Sequence, residues 1–154
     1  LRYCNSVVAN DNIKISKLPL AVPQNLIPFV TQTAAGIRKE LSVFGDDYPT
    51  PDGTAIRDYI HVVDLAKAHI AALSRLLNKK NNANFEFFNV GTGTGSSVLE
   101  VIKSFEKVTG KKLNYKIVGR RAGDITSAYA DTTIANKELN WKTEKTLDEA
   151  LLSS

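Results

Sequence analysis

The stretch FEFFNV, residues 85–90, limits the possible folds of this chain more than any other segment. It is a nearly continuous apolar run with the length of one β-strand, which is typical of a strand buried on both faces of a parallel sheet. GTGTGS follows as a turn, and Ser97 with Glu100 forms a capping box that begins a helix. Such a strand needs parallel neighbours on both sides.

Strand and helix patterns alternate along the rest of the chain. Strands are predicted at 1–3, 41–45, 56–62, 85–90 and 113–119. Helices are predicted at 25–35, 64–77, 97–110, 131–140 and from 146 onward, with a loop at 5–22. This order predicts an α/β fold. Because few of these strands can flank 85–90, the sequence predicts part of an α/β sheet rather than a whole one.

The segment around residue 60 combines a two-faced strand with an amphipathic helix. The strand presents Arg57, Tyr59 and His61 on one face, and Asp58 lies on the other. Asp64 is expected to be the N-cap of the helix at 64–77. At helical spacing, this helix carries the apolar stripe Leu65, Ala68, Ala72, Leu73, Leu76 and Leu77.

Charge and composition exclude several classes of partner. The net charge is only +4, and Lys79 with Lys80 is the densest basic cluster, so neither nucleic acid nor a membrane is an expected partner. No segment has the pattern of a transmembrane helix or a signal peptide. The one cysteine, Cys4, excludes an internal disulfide and a cysteine-based metal cage, and it suits the cytoplasm. The absence of methionine and the start at Leu1 predict a fragment or a processed piece.

The glycine-rich turn at 91–95 does not match the dinucleotide-binding fingerprint. G-x-G-x-x-G counted from Gly91 needs glycine where Ser96 stands, and counted from Gly93 it needs glycine where Val98 stands. Two interpretations remain open: a plain turn, which is favoured, and a turn whose backbone approaches a phosphate.

Neither a metal site nor a catalytic triad is predicted. His61 and His69 lie on either side of a strand–helix junction, with no carboxylate at metal-ligand spacing. Ser42, His61 and Asp64 could supply a Ser-His-Asp set, but no G-x-S-x-G nucleophile elbow supports it.

Arginines beside acids at the edges of predicted elements are the strongest sign of a ligand. Arg57 precedes Asp58 in a strand, and Arg120 and Arg121 precede Asp124 in a loop. A guanidinium group suits diphosphate oxygens, and an adjacent acid can hold it or reach a ribose hydroxyl. Surface ion pairs with little effect on stability are the alternative, and spacing alone leaves both open.

One long segment identifies a family. VFGDDYPTPDGTAIRDYIHVVDLAKAHIAAL closely resembles the UDP-glucose 4-epimerases, which are extended short-chain dehydrogenases/reductases. The resemblance continues through NVGTGTGSSVLEVI and RRAGD and begins at LRYCN and PQNLIP, so it covers nearly the whole chain. The pattern VFGxDYxTxDGTxxRDYIHVxDLA is specific for this epimerase, whereas RDYIHVxD alone also fits sugar-nucleotide dehydratases.

The resemblance implies a fold and a reaction. The fold is α/β, the C-terminal part of an extended Rossmann-type enzyme, with an incomplete parallel sheet and a small α/β substrate domain. Residues 1–154 would form the UDP-sugar-binding region, with 64–95 giving a helix and a strand to an N-terminal NAD-binding sheet. In this family NAD takes a hydride from C4 of a UDP-hexose and returns it to the other face, which interconverts UDP-glucose and UDP-galactose.

Two motifs of the family do not occur in this sequence: the NAD fingerprint G-x-x-G-x-x-G and the base in Tyr-x-x-x-Lys. The resemblance therefore implies that the chain has no catalytic residue and is inactive alone. It also implies that the full-length enzyme is a cytoplasmic homodimer with NAD as its cofactor.

The resemblance also implies which residues bind the UDP-sugar. The matching positions are Asn5, Asn25, Leu26, Ser42, Phe44, Arg57, Val98, Arg121 and Asp124. Ser42 and Phe44 match the positions that hold uracil. Two arginines match diphosphate ligands, with Asp58 as the expected support of Arg57, and Asp124 matches the acid on the ribose.

Three further positions concern the sugar and the cofactor. Ala128 matches a gate beside the sugar, where a small residue leaves room for an N-acetyl group, so UDP-GlcNAc and UDP-GalNAc are also expected substrates. Tyr3 and Ser6 match positions near the nicotinamide.

The loop 6–20 departs from the family pattern. The family usually has R-Y-F-N-P-x-G-A-H where this chain has RYCNSVVAN, so Ser6 replaces a proline and Val8 a glycine. In KISKLP, Ser16 and Lys17 replace a glycine and an acid. Two alternatives therefore stay open: a non-catalytic, degenerate UDP-sugar-binding remnant, and a related sugar-nucleotide dehydratase or decarboxylase. An upstream, in-frame G-x-x-G-x-x-G and Tyr-x-x-x-Lys would indicate an enzyme.

Overall fold

The structure, a computed structural model, describes residues 1–7 and 25–154. Its strands are β1 (Arg2–Tyr3), β2 (Asn5–Val7), β3 (Leu41–Phe44), β4 (Ile56–Arg57), β5 (Tyr59–His61), β6 (Asn89–Val90), β7 (Ser96–Ser97), β8 (Tyr115–Val118) and β9 (Ser127–Ala128). Its helices are α1 (Leu26–Ala34), α2 (Val62–Leu77), α3 (Val98–Thr109), α4 (Thr133–Leu139) and α5 (Leu147–Leu152). The replacements predicted at Val8, Ser16 and Lys17 lie outside the described residues.

Parallel pairing dominates the described sheets. β1 pairs with β6, β2 with β5 and β3 with β8, all in parallel. β4 lies between β7, which is antiparallel to it, and β9, which is parallel. Residues 5–7 were predicted as loop, and this prediction is wrong because they pair with β5. The strand predicted at 56–62 is also interrupted: the chain changes sheets at Asp58, between β4 and β5.

Two hydrophobic clusters form the core. The first cluster lies around β3, α1, α3 and α5 and consists of Val7, Ile27, Val30, Leu41, Val43, Tyr59, Val101, Ile102, Phe105, Leu113, Ala150 and Leu151. The second cluster joins α2, β6 and α4 and consists of Ile60, Leu65, Ala68, Phe88, Val90, Ala135, Leu139 and Trp141. The apolar stripe predicted on α2 is only partly buried. Leu65 and Ala68 are buried, whereas Leu73, Leu76 and Leu77 are exposed.

The run at 85–90 does not form a full strand. Only Asn89 and Val90 pair, and their partner is β1. Phe85 and Phe87 are 80% and 54% exposed, so within the described residues this run lacks the neighbours that burial on both faces requires. None of the helices in 1–7 and 25–154 combines the length and the apolar character needed to cross a membrane.

The beginning of α2 differs from the prediction that Asp64 caps it. The N-cap is His61, whose Nδ1 accepts a hydrogen bond from the Val63 N–H at 3.1 Å. Asp64 instead lies fully buried, and its Oδ2 accepts hydrogen bonds from the backbone N–H groups of Glu144 (3.0 Å) and Lys145 (2.9 Å). The carboxylate thus fastens the segment that leads into α5, a role that its place in the sequence does not reveal.

Candidate functional site

A cavity of about 660 Å³ lies beside β3 and β4, at the beginnings of α1 and α3. Its volume is in the range of small-molecule sites, roughly 300–1,000 Å³. The nine positions predicted to bind substrate all line it: Asn5, Asn25, Leu26, Ser42, Phe44, Arg57, Val98, Arg121 and Asp124. The structure therefore brings these residues together, and the individual role of each stays a prediction.

The alternation of β3 places two of these residues at the cavity. Val43 is 1% exposed and belongs to the first cluster. Ser42 and Phe44 point to the opposite side of the strand, are half-buried and line the cavity. A strand with one buried and one accessible face thus anchors an aromatic ring at the edge of the site.

The Arg57 guanidinium group is held in a fixed orientation at the cavity. Its Nη2 donates to Asp124 Oδ1 at 2.8 Å, and its Nη1 donates to the Ile56 carbonyl oxygen at 2.7 Å. The side chains of Arg57 and Asp124 are only 19% and 27% exposed, so this pair is partly shielded from water. A guanidinium group has more N–H donors than these two bonds use, which leaves donors for an anionic ligand.

Arg120 and Arg121 are adjacent in the sequence but differ in their surroundings. The Arg121 guanidinium carbon lies 4.5 Å from the centroid of the Phe44 ring, at the cavity. Arg120 instead donates through Nε to Asp47 Oδ1 and through Nη2 to the Asp47 carbonyl oxygen, both at 2.7 Å, and it packs on Tyr48. The hydrogen bond from Arg120 lowers the pKa of the Asp47 carboxyl group. Arg121 alone of this pair can serve the cavity.

Asp58 does not support Arg57, and that prediction is wrong. Adjacent residues of an extended chain point to opposite sides, so the two side chains diverge. The fully buried Asp58 carboxylate accepts hydrogen bonds from the Thr92 N–H (2.9 Å), the Thr92 hydroxyl (2.7 Å) and the Ala130 N–H (3.1 Å). Asp58 thus joins the turn at 91–95 to the segment after β9. The acid that pairs with Arg57 is Asp124.

Two helices begin at the cavity, and their first turns are satisfied differently. In α3, Ser97 and Glu100 form the complete capping box that the sequence predicts. In α1, Asn25 is the N-cap, but its side chain makes no capping hydrogen bond. The N-terminal end of α1 therefore presents backbone N–H groups, beginning with Leu26, and the positive end of the helix dipole to the cavity.

The turn at 91–95 is explained by close packing within the chain. A Cβ atom on Gly91 would lie 2.3 Å from Asp58 Oδ2, and one on Gly95 would lie 2.2 Å from the Ile56 side chain. Only glycine fits at either position. The plain-turn interpretation is thus sufficient for this motif.

The predicted gate and cofactor positions are not among the described residues that line the cavity. Ala128 is half-buried on β9, where it pairs with Arg57 in parallel register. Tyr3 is 50% exposed and packs edge-on against His69, with ring centroids 5.9 Å apart. Ser6 is half-buried on β2, paired with Ile60. Their roles stay predictions.

Sequence reasoning did not assign four residues that line the cavity: Phe29, Leu41, Ala55 and Tyr59. Tyr59 is 6% exposed, and its burial raises the pKa of its phenol. Strand alternation already placed Tyr59 on the same face as Arg57, which was the available signal. Nothing in the local pattern marks Phe29 or Ala55.

The histidines serve the fold. His61 accepts from the helix that it caps, and its Nε2 lies 3.1 Å from Ser153 Oγ. His69 Nδ1 lies 2.8 Å from the Leu65 carbonyl oxygen. In the part of the chain that the structure describes, no group of three or more His, Cys, Asp and Glu side chains is placed to hold a metal ion.

Comparison with known proteins identifies the family. A sequence profile of the family described as GDP-mannose 4,6 dehydratase matches residues 1–153. The chain belongs to this family. Within the GDP-mannose 4,6 dehydratase family, it is similar to UDP-glucose 4-epimerases, which confirms the resemblance predicted from the sequence.

Two curated family members illustrate this similarity. The UDP-glucose 4-epimerase of Drosophila melanogaster is 50% identical over 97% of this chain, which corresponds to 42% of that protein. The enzyme of Bacillus subtilis is 48% identical over 100% of this chain and 44% of that protein. The chain therefore spans less than half the length of the curated relatives that it matches.

Solved structures of family members confirm the predicted α/β fold of an extended short-chain dehydrogenase/reductase. UDP-glucose-4-epimerase from Stenotrophomonas maltophila, with bound NAD and formylated UDP-arabinopyranose, superposes with a TM-score of 0.94 at 46% identity over 99% of this chain. The enzyme from Bifidobacterium longum, in complex with NAD+ and UDP, gives 0.90 at 48% identity over 99% of this chain. Each match covers 44% of the solved chain.

The 154 residues lack the two sequence motifs that the epimerase resemblance associates with the cofactor and the catalytic base. They contain neither G-x-x-G-x-x-G nor Tyr-x-x-x-Lys. In the glycine-rich turn before α3, the Gly91 backbone packs against the Asp58 carboxylate. The cavity beside β3 and β4 is lined by the charged residues Arg57, Arg121 and Asp124 together with Asn5, Asn25 and Ser42.

Proposed function

We propose that this chain is the UDP-sugar-binding part of a UDP-glucose 4-epimerase. The observation that carries this proposal is the convergence of Arg57, Arg121 and Phe44 on one cavity of about 660 Å³. Two guanidinium groups match a diphosphate, and an aromatic ring beside them matches a base. Asp124 holds Arg57 through Oδ1, which leaves its second oxygen for ribose hydroxyls.

The proposed activity belongs to the whole protein, with NAD as its cofactor, and it interconverts UDP-glucose and UDP-galactose. Sequence identity of 50% to a UDP-glucose 4-epimerase supports this assignment. These 154 residues bind and orient the nucleotide. They lack the base and the dinucleotide fingerprint, so the chain with added NAD⁺ should not interconvert the two sugars. Measurable interconversion in that assay would contradict the division of roles.

Binding of UDP to the 154-residue chain, measured by isothermal titration calorimetry, tests the site directly. Arg121→Ala and Arg57→Lys should each weaken binding about tenfold, the equivalent of one lost hydrogen bond to a charged group. Arg57→Lys keeps the charge but loses the planar fork. Arg2→Ala is the matched control, because Arg2 packs on Phe87 and does not line the cavity. Equal affinities for all variants would contradict the proposal.

The finer assignments extend the same proposal. Ala128, next to Arg57 in the sheet, is small enough to admit an N-acetyl group, so the whole protein should also act on UDP-GlcNAc. Ala128→Tyr should remove activity on UDP-GlcNAc and retain activity on UDP-glucose. The whole protein is proposed to be a cytoplasmic homodimer, with Tyr3 and Ser6 near the nicotinamide.

Two other functions make different predictions. A non-catalytic UDP-sugar-binding remnant is favoured by Ser6, where the resembling family has proline, and it would bind UDP without turnover in the whole protein. A sugar-nucleotide dehydratase is favoured by the description of the matched family. It would convert its nucleotide sugar to a 4-keto-6-deoxy product, which mass spectrometry distinguishes from an epimer.

A further inference from the structure

One carboxylate behind the cavity wall bonds to both segments that form this wall. Asp52 is half-buried in the loop between β3 and β4 and is not among the residues that line the cavity. Its Oδ1 accepts hydrogen bonds from the Thr54 N–H at 2.9 Å and the Thr54 hydroxyl at 2.7 Å. Its Oδ2 accepts from the hydroxyl of Ser97, the N-cap of α3.

Backbone hydrogen bonds continue this network on both sides of Val98. The Val98 N–H donates to the Ala55 carbonyl oxygen at 3.2 Å, and the Leu99 N–H donates to Thr54 Oγ1 at 3.4 Å. Thr54 and Ser97 are 0% and 2% exposed, so water does not compete for these groups. The segments 54–55 and 97–99 are therefore joined, and each contributes one apolar residue, Ala55 or Val98, to the cavity wall.

The loop that carries Asp52 is closed on itself. The Tyr48 N–H donates to the Gly53 carbonyl oxygen at 2.9 Å. Gly53 has φ +79°, and a Cβ atom there would lie 2.0 Å from the Asp46 carbonyl oxygen. Only glycine allows so close an approach, which keeps the loop compact next to Asp52.

Asp52 is held in its ionised form. Burial disfavours the charge, but the hydrogen bonds from Ser97 and Thr54 outweigh burial and lower the pKa of the carboxyl group. Hydrogen bonds to an ionised acceptor are stronger than those between neutral groups. The network therefore resists displacement better than a set of neutral contacts would.

We propose that Asp52 is a positioning residue of this cavity. Through Ser97 and Thr54 it sets the spacing of the wall that Ala55 and Val98 form, and so fits this wall to a planar pyrimidine base. The diphosphate end depends on Arg57 and Arg121 instead. This inference rests on the proposed UDP-sugar function.

The test compares UDP with inorganic pyrophosphate, both titrated into the 154-residue chain and followed by NMR chemical shifts. Asp52→Ala should weaken UDP about three- to tenfold, the equivalent of one lost hydrogen bond, and leave pyrophosphate unchanged. Asp52→Asn should restore most of the UDP affinity, because a carboxamide can accept from Thr54 and donate to Ser97. Thr54→Val, which is nearly isosteric, gives the same test should Asp52→Ala not fold.

Glu100→Ala is the matched control, because it opens the capping box of α3 and leaves the bond between Ser97 and Asp52 in place. It should lower the melting temperature without changing the ratio of UDP to pyrophosphate affinity. An equal loss of both ligands in Asp52→Ala would reduce Asp52 to a structural role and overturn the proposal, as would unchanged UDP binding. No UDP binding by the wild-type chain would overturn the proposed function itself.

Discussion

The two hydrophobic clusters differ in the elements that surround them. The first cluster borders the cavity through Leu41 and Tyr59, and its member Ile102 is 1% exposed. The members of the second cluster are buried too, but α2 and the run before β6 also carry the exposed apolar residues Ile70, Leu73, Leu76, Leu77, Phe85 and Phe87. The residues that line the cavity lie beside the first cluster, and rigid support of this kind favours precise recognition.

The largest expected difference in stability is between a truncated side chain in the first cluster and one on the exposed face of α2. Ile102→Ala should lower the free energy of unfolding by about 2–5 kcal/mol, because it leaves a cavity in the first cluster. Ile70→Ala removes the same atoms from a side chain that is 68% exposed, and its effect should stay within about 0.5 kcal/mol. Urea denaturation followed by circular dichroism measures both values. Similar losses of stability for the two variants would mean that Ile70 on α2 is as buried as Ile102 in the first cluster.

Helix capping gives a smaller contrast. Thr146 caps α5 in a capping box, whereas Thr132, the N-cap of α4, makes no capping hydrogen bond to its helix. Thr146→Ala should therefore cost about 1 kcal/mol. Thr132→Ala should cost less in the same denaturation experiment, and the opposite ranking would contradict the assignment of these caps.

An ion pair that is sensitive to pH joins α2 to the run before β6, beside the second cluster. Arg75 donates to Glu86 Oε2 at 2.9 Å and to Oε1 at 3.0 Å, which lowers the Glu86 pKa from its ordinary value of 4.5 to about 2. This contribution is complete above pH 4.5 and is lost as the pH falls toward 2, because the unfolded chain takes up the proton first. A plot of melting temperature against pH should therefore be flatter between pH 4.5 and 2 for Glu86→Gln than for the wild-type chain. Glu144→Gln, in an exposed pair with Lys67, is the control and should change the curve less.

Substitutions on the exposed face of α2 should have the smallest effect on stability. Leu73→Lys combined with Leu77→Lys should change the free energy of unfolding by about 0.5 kcal/mol or less, because both side chains are more than half exposed. The same pair should reduce the fluorescence of an apolar dye, since it interrupts the apolar patch. Unchanged dye fluorescence would locate the accessible apolar surface elsewhere.

Local signals in the sequence predicted some elements closely. The helix predicted at 97–110 is observed as α3, with its capping box at Ser97 and with Gly110 at φ +69° as the left-handed C-cap. Both ends of this helix are determined by neighbours within a few residues, so a short window of sequence contains the necessary information. The same holds for Thr146 and Glu149 in α5.

Other elements depend on partners that are distant in the sequence. Asp58, the neighbour in sequence, was the predicted partner of Arg57, but the ion pair is made by Asp124, which is 67 residues away in the chain. Whether Arg120 or Arg121 faces the cavity depends likewise on where Asp47 and Tyr48 lie. The nine positions around the cavity were obtained from the family resemblance, because spacing alone supported only an anion site that included Arg57.

The contact between Gly91 and Asp58 has an evolutionary consequence. Because Asp58 Oδ2 occupies the space that a side chain at residue 91 would need, the two positions are not free to vary independently. A β-carbon at residue 91 would also lie 2.8 Å from the Ala130 Cβ, so it requires residue 130 to move as well as a shorter residue 58, and shortening residue 58 removes the acceptor for Thr92 and Ala130. Substitutions at residues 58 and 91 should therefore occur together during evolution. A glycine-rich loop before a helix can be maintained in this way by the protein's own carboxylate, without any nucleotide.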